Sequence, residues 1–154
     1  MKMINTLFIR TTHHLGNFLR AMKVTYLRCA GVKIGRNTEI SFGAKIDVHR
    51  GRVIIGDNCS ITYGCIILAH DGFARQIDPN DNGEGMVVIG NRVLIGVNSV
   101  VLPNVTIGDN TVIGAGSVVD KDIPPNVIAI GYPIRVVKHL KNILRKDFGQ
   151  TIGS

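Results

Sequence analysis

The sequence predicts an all-β fold in which very short strands coil on one another, and three observations carry that expectation. Ile and Val number 21 and 17 among 154 residues while Leu numbers 9, a β-branched excess that suits pleated strands better than helices. From Ile89 an aliphatic residue recurs at every sixth position, through Ile95, Val101, Ile107, Ile113 and Val119. The position four after each aliphatic is small or β-branched: Val93, Ser99, Val105, Thr111, Ser117. This period matches neither a helix nor a plain strand. It describes short strands joined by tight turns, with each aliphatic stacking on its counterpart one coil later. Gly follows the aliphatic at Gly90, Gly96, Gly108 and Gly114, where it is expected to supply backbone freedom at the bends.

Composition sets the outer bounds. A hydrophobic content of 45% excludes disorder, and 154 residues suit one soluble domain. Three cysteines, odd in number and irregular in spacing, argue against a disulfide framework and for a reducing, cytoplasmic setting. The net charge of +7 is unevenly spread: residues 1–36 carry seven basic groups and no acid, the middle is mildly acidic, and the last twenty residues are basic again. Nucleic acid is the reflex partner of such a balance. No binding motif accompanies it, and at 5% aromatics there are few rings to stack on bases, so that partner is set aside.

Taken in chain order, residues 1–30 form a basic helical segment. No apolar run approaches the roughly 18 residues of a membrane span. The group Met3, Ile4, Leu7, Phe8, Ile9 is broken by Asn5, Thr6 and Arg10 before an export signal could form. Leu15, Phe18, Leu19, Met22 and Tyr26 then recur at helical spacing, with Arg20 and Lys23 between them. This apolar stripe is expected to pack on the rest of the protein or on a sister subunit; the alternative is peripheral contact with an anionic membrane. His13 and His14 lie here, outside the repeat, and are given no chemistry.

Residues 31–134 form the coil. Ile34, Ile40 and Ile46 open it, with Thr38 and Ala44 in the small slots; three extra residues then fall near His49 to Gly51. Ile55, Ile61 and Ile67 resume the register and place Cys59 and Cys65 in the small slots, where they read as buried hydrophobes and not as redox or metal groups. After Ile67 the pattern breaks until Ile89, and a polar loop over residues 71–86 leaves the coil, with His70 at its root. Loops of such length inside a compact repeat are uncommon without a function. Twelve hexads make about four coils. Residues 135–154 are expected to form a C-terminal helix and tail, from Val136 or Val137, Leu140, Ile143 and Leu144 at helical spacing. The helix, with His139 in it, would fold back over the open end of the coil and protect strand edges.

These hexads and the loop after His70 are joined by the stretch Val112-Ile113-Gly114-Ala115-Gly116-Ser117-Val118-Val119, by Lys121-Asp122-Ile123-Pro124-Pro125, and by Gly131-Tyr132-Pro133-Ile134-Arg135-Val136-Val137-Lys138. Over about residues 31–138 the chain thereby resembles the hexapeptide-repeat acyltransferases, and within them the xenobiotic and sugar O-acetyltransferase group. The resemblance implies a left-handed parallel β-helix of triangular section, with short helices at both ends, that assembles as a homotrimer. It further implies acetyl-CoA bound between subunits as co-substrate, with no metal.

His70 matches the family's catalytic histidine, the general base that takes the acceptor's proton; a positioned His is worth roughly 100- to 10,000-fold in rate. Its second ring nitrogen needs a carboxylate or carbonyl partner. Asp71 is passed over because adjacent side chains on extended chain point apart. Gly96 is the candidate backbone donor to the oxyanion. Ala115 and Gly116 would pair with the pantetheine arm of coenzyme A, and Lys121, Arg135 and Lys138 with its phosphates, while Pro133 fixes the exit from the last coil. Asp47, His49 and the loop residue Asn82 are candidates for holding the acceptor. Two positions depart from the pattern: Leu94 stands where many relatives have Trp, and Asp120 where many have Thr.

The resemblance favours O-acetylation of a sugar in cell-surface polysaccharide synthesis. N-acetylation of a nucleotide-linked amino sugar is the alternative within the same chemistry, with serine acetylation behind it. A bare scaffold or a zinc enzyme is the alternative outside it. Zinc catalysis needs about three protein ligands, and only His49 and His70 lie within the repeat.

Overall fold

A computed structural model describes residues 2–140, with side chains from Gly16 onward except that of Arg75. Helix α1 (Lys2–Cys29) leads into four coils of three short strands each. The first coil is β1 (Lys33–Ile34), β2 (Glu39–Ile40) and β3 (Lys45–Ile46); the second is β4 (Arg52–Ile55), β5 (Ser60–Ile61) and β6 (Ile66–Ile67). A short helix, α2 (Ala74–Ile77), sits in the loop before the third coil, β7 (Met86–Ile89), β8 (Leu94–Ile95) and β9 (Val100–Val101). The fourth coil is β10 (Thr106–Ile107), β11 (Val112–Ile113) and β12 (Val118–Val119), followed by β13 (Val127–Ile130) and β14 (Arg135–His139).

Strands one coil apart pair in parallel and form three sheets: β1-β4-β7-β10, then β2-β5-β8-β11-β13-β14, then β3-β6-β9-β12. We number these sheets one to three; the chain turns a corner between each and the next. Each hexad aliphatic lies in register with its counterpart, as Ile34 with Ile55, Ile55 with Ile89 and Ile61 with Ile95. Ile40, Ile61, Ile67, Ile95, Ile107 and Ile113 are sealed from solvent, and the small slots are buried beside them at Cys59, Cys65, Ser99, Thr111 and Ser117. Cys59 and Cys65 direct their Sγ atoms to the carbonyls of Gly90 (3.0 Å) and Gly96 (3.1 Å). Burial pushes the Cys59 thiol pKa up, which keeps it protonated and unreactive.

The bends work differently from the expectation based on Gly. The left-handed backbone falls two residues later, at Asn37, Asn58, Arg92, Asn98, Asn104, Asn110 and Asn126, with Gly in that position at Gly64 and Gly116. Asn tolerates that region better than most residues because its short amide bonds locally. The Gly directly after the aliphatic has another task, close approach of coils. A Cβ on Gly96 would stand 2.5 Å from the Ala115 nitrogen, and one on Gly108 as near to Pro125 nitrogen.

Helix α1 closes the first coil. Val24 packs on the core and Leu27 is buried within it. Lys23 Nζ donates to the carbonyl oxygens of Phe42 (2.6 Å) and Ala44, and Arg28 Nη2 donates to Ile34 O (3.1 Å) and Gly35 O (2.8 Å). Two cations thus satisfy carbonyls at the coil's open end. Of the apolar stripe, Phe18, Met22 and Tyr26 stand 54–63% exposed on the single chain, which leaves a sister subunit or a membrane surface to cover them. The side chains of Leu15, His13 and His14 lie outside the described residues.

At the C-terminus, residues 135–139 differ from the helix expected there. Residues 135–139 form a strand that pairs antiparallel with β13, Ile130 with Arg135 and Val127 with His139. The free edge of β13 offers backbone donors and acceptors that a helix could not meet, and β-branched Val136 and Val137 suit a strand. Ile143 and Leu144 lie outside the described residues.

Candidate active site

Both interruptions of the hexad register fall at the same corner, the third, between sheets three and one. The extra residues near His49 follow β3, and the long loop follows β6, directly above in the next coil. Ile46 is in register with Ile67, so the chain leaves the two strands side by side and Asp47 N–H donates to Ile67 O (2.9 Å).

That register brings Asp47 to the root of the loop. Its Oδ2 hydrogen-bonds His70 Nδ1 and accepts the Ala69 N–H (3.3 Å), while its Oδ1 accepts the His49 N–H (3.1 Å). The Asp47 side chain is 6% exposed and that of His70 is 34%. Burial alone would raise the Asp47 pKa. Hydrogen bonds from the His70 ring and from the His49 and Ala69 amides outweigh it and hold the carboxyl below its ordinary value. An ionised carboxylate only accepts, so Nδ1 carries the proton and Nε2 keeps its lone pair. The pair stands on the wall of the coil with its partners fixed.

The loop is shut at its foot. His70 bridges Glu84 in antiparallel fashion, Asp71 N–H donates to Gly83 O (2.8 Å), and Gly85 N–H donates to Ala69 O (2.8 Å). Inside it, Asp71, Asp78, Asp81 and Asn82 each accept the amide two residues on, from Phe73, Asn80, Gly83 and Glu84. These Asx turns make a shaped lip beside His70.

Asp71, passed over in the sequence, closes its own Asx turn. Several expected site residues sit elsewhere: Asn82 has its Oδ1 engaged in the loop. His49 is exposed, and its backbone amide rather than its ring touches Asp47. Gly96 is not available as an oxyanion donor: it lies at the second corner, between sheets two and three, and its N–H donates to Ile113 O (2.8 Å). Ala115 and Gly116 are exposed at that second corner too, but the Gly116 amide is taken by Val97 O (2.8 Å), so it cannot pair with a ligand. Arg135 and Lys138 are exposed on β14 of sheet two, Pro133 is in the turn before it, and Lys121 follows β12 at the third corner. One chain therefore does not gather these three cations.

The sequence marks Asp47 as an acceptor ligand, whereas the structure makes it the partner of His70. Its signal lies in the register: a residue just after Ile46 must stand against the chain leaving Ile67. Among the described residues, no group of three His, Cys, Asp or Glu could hold a metal ion.

Comparison with known proteins bears on the family and the fold. The family described as bacterial transferase hexapeptide (six repeats) matches residues 86–121. Galactoside O-acetyltransferase of Escherichia coli (strain K12) is 44% identical over 116 residues, covering 73% of this chain and 56% of that protein. The structure of a galactoside acetyltransferase in complex with coenzyme A superposes with a TM-score of 0.65 at 40% identity, over 74% of this chain and 57% of that one. The polySia-specific acetyltransferase NeuO follows with a TM-score of 0.63 at 33% identity, over 71% of this chain and 52% of that one. The chain thus spans little more than half the length of these relatives. Their fold is the left-handed parallel β-helix, and so is this one. With twelve hexads in register and a histidine at the root of the loop that interrupts them, the chain belongs to the hexapeptide-repeat acyltransferases.

Proposed function

We propose that the protein is an acetyl-CoA-dependent O-acetyltransferase that acetylates a sugar hydroxyl in cell-surface polysaccharide synthesis, with His70 as general base. The observation that carries this reading is the Asp47–His70 pair at the foot of the loop. A neutral hydroxyl is a weak nucleophile. His70 Nε2 removes its proton as the oxygen attacks the thioester carbonyl, and the imidazolium then returns that proton to the departing thiolate. Asp47 holds the productive tautomer and stabilises the imidazolium.

Acetyl-CoA enters as co-substrate. Ala115, with an exposed small side chain, and the cations Arg135 and Lys138 suit its arm and phosphates, and Lys121 adds a further charge. Ala115, Arg135 and Lys138 lie on the second corner and sheet two, whereas His70 lies on the third corner. Transfer therefore needs a second copy to complete the site, which supports a homotrimer with the co-substrate between subunits. The relatives named for galactoside and polySia support a sugar acceptor.

A cytoplasmic protein touching the inner membrane face fits the exposed Phe18, Met22 and Tyr26, together with the seven basic groups of residues 1–36. The test of the activity is thiol release from acetyl-CoA with a panel of sugars and amino sugars. Full turnover by His70→Ala, or a strict amine preference, would sink the reading.

A further inference from the structure

We infer that Arg50 and Arg52 form an anion subsite beside His70, so that the acceptor is an acidic sugar carrying a carboxylate or phosphate. The inference rests on the transferase reading and names the class of its acceptor.

The inserted turn is fastened to both feet of the His70 loop. Gly51 has a φ of +71°, and a Cβ there would meet the Ala69 carbonyl and stand 2.5 Å from the Gly85 carbonyl oxygen. Arg52 N–H donates to Gly85 O (2.9 Å), and His49 N–H donates to Asp47 Oδ1. The turn is thus locked against the same two feet that hold the base. Arg50 and Arg52 flank the locked Gly51, one on each side.

Both arginines are exposed, and among the described residues neither makes an ion pair or a side-chain hydrogen bond. No described carboxylate pairs with either of them: the ion pairs among the described residues are Arg20–Glu39, Arg36–Asp57 and His70–Asp47. Arg52 lines a cleft of about 410 Å³ with Asn82, Glu84, Met86 and Asn104, and makes no ion pair with Glu84 across it. Glu84 is also the residue that bridges His70, so the cleft adjoins the base. The coil does not need the insertion, because Val101 to Ile107 passes the same corner in the third coil on the plain six-residue step. Two unpaired guanidinium groups on an added, locked turn supply the charge-assisted donors that an oxyanion calls for.

The test compares acceptors matched in all but charge: a neutral hexoside, its uronic acid, and the hexose 1-phosphate. The full chain should prefer one of the charged acceptors, the carboxylate and phosphate arms separating the two sources of charge. Arg50→Gln and Arg52→Gln should each lower the charged-over-neutral ratio of kcat/KM roughly ten- to a hundredfold, mainly through KM, with Lys variants falling between. Added salt should erode the same ratio. Turnover with the neutral hexoside preferred, or a ratio unmoved in both Gln variants, overturns the subsite. If no acceptor turns over, calorimetry decides. Acidic-sugar binding that needs Arg50 and Arg52 keeps the subsite and sinks the transferase reading, and absence of that binding overturns the subsite too.

Discussion

Asp47 stands 23 residues before His70 in the chain, yet its Oδ2 is hydrogen-bonded to His70 Nδ1. One coil of the helix separates them, and the Ile46–Ile67 register brings the two departing chain segments side by side.

This relation predicts an asymmetry between two substitutions. Asp47→Asn keeps the shape but can donate to Nδ1, which favours the tautomer with its proton on Nε2, where it is useless as a base. We expect kcat to fall by about 100- to 10,000-fold, close to the loss in His70→Ala, with KM for acetyl-CoA little changed. Steady-state kinetics on both variants checks it, and an Asp47→Asn enzyme of near-normal kcat would reduce Asp47 to a structural role.

The same carboxyl sets a pH response. Its folded pKa lies below the ordinary value, so its contribution to stability is present above the unfolded pKa of about 4 and is lost as pH falls through the folded value. Thermal melts of wild type and Asp47→Asn should differ at neutral pH and converge in acid. A gap that widens toward low pH would contradict the sign.

The two kinds of corner residue should lose stability for different reasons. Gly96→Ala places a Cβ 2.5 Å from the Ala115 nitrogen and should cost about 1–3 kcal/mol by crowding the coils. Asn98, at a φ of 56°, should accept Gly with little loss, while Asn98→Ala costs about 1–2 kcal/mol. Denaturant melts rank the three variants, and an innocuous Gly96→Ala would contradict the close-approach account.

Within the ladder, Ile95 is sealed from solvent between Ile61 below and Ile113 above. Ile95→Ala should destabilise by about 2–5 kcal/mol, since neighbours held by sheet hydrogen bonds cannot collapse into the cavity. Chemical denaturation measures this.

The face of α1 turned away from the coil should bind anionic vesicles. Cosedimentation should be clear for the full chain and weak after Phe18→Ser, Met22→Ser and Tyr26→Ser together. If vesicle binding is unchanged while the oligomer loosens, the face belongs to a sister subunit instead.

The sequence by itself determined the coil, because a six-residue period of Ile and Val with small residues four later leaves no other way to bury every aliphatic. It also singled out His70, the reactive residue at the largest break in that period. Legibility ended where partners are set by stacking between coils rather than by neighbours in the chain. Only the tertiary structure decided that both insertions share one corner, that Asp47 and not a loop residue orients His70, and that the Gly96 and Gly116 amides are already taken. It also decided that residues 135–139 are a strand, since an open sheet edge outweighs a helical spacing of apolar residues. Hexad spacing is a local property of the chain, whereas hydrogen-bond partners one coil away follow from register, which the packed ladder alone enforces.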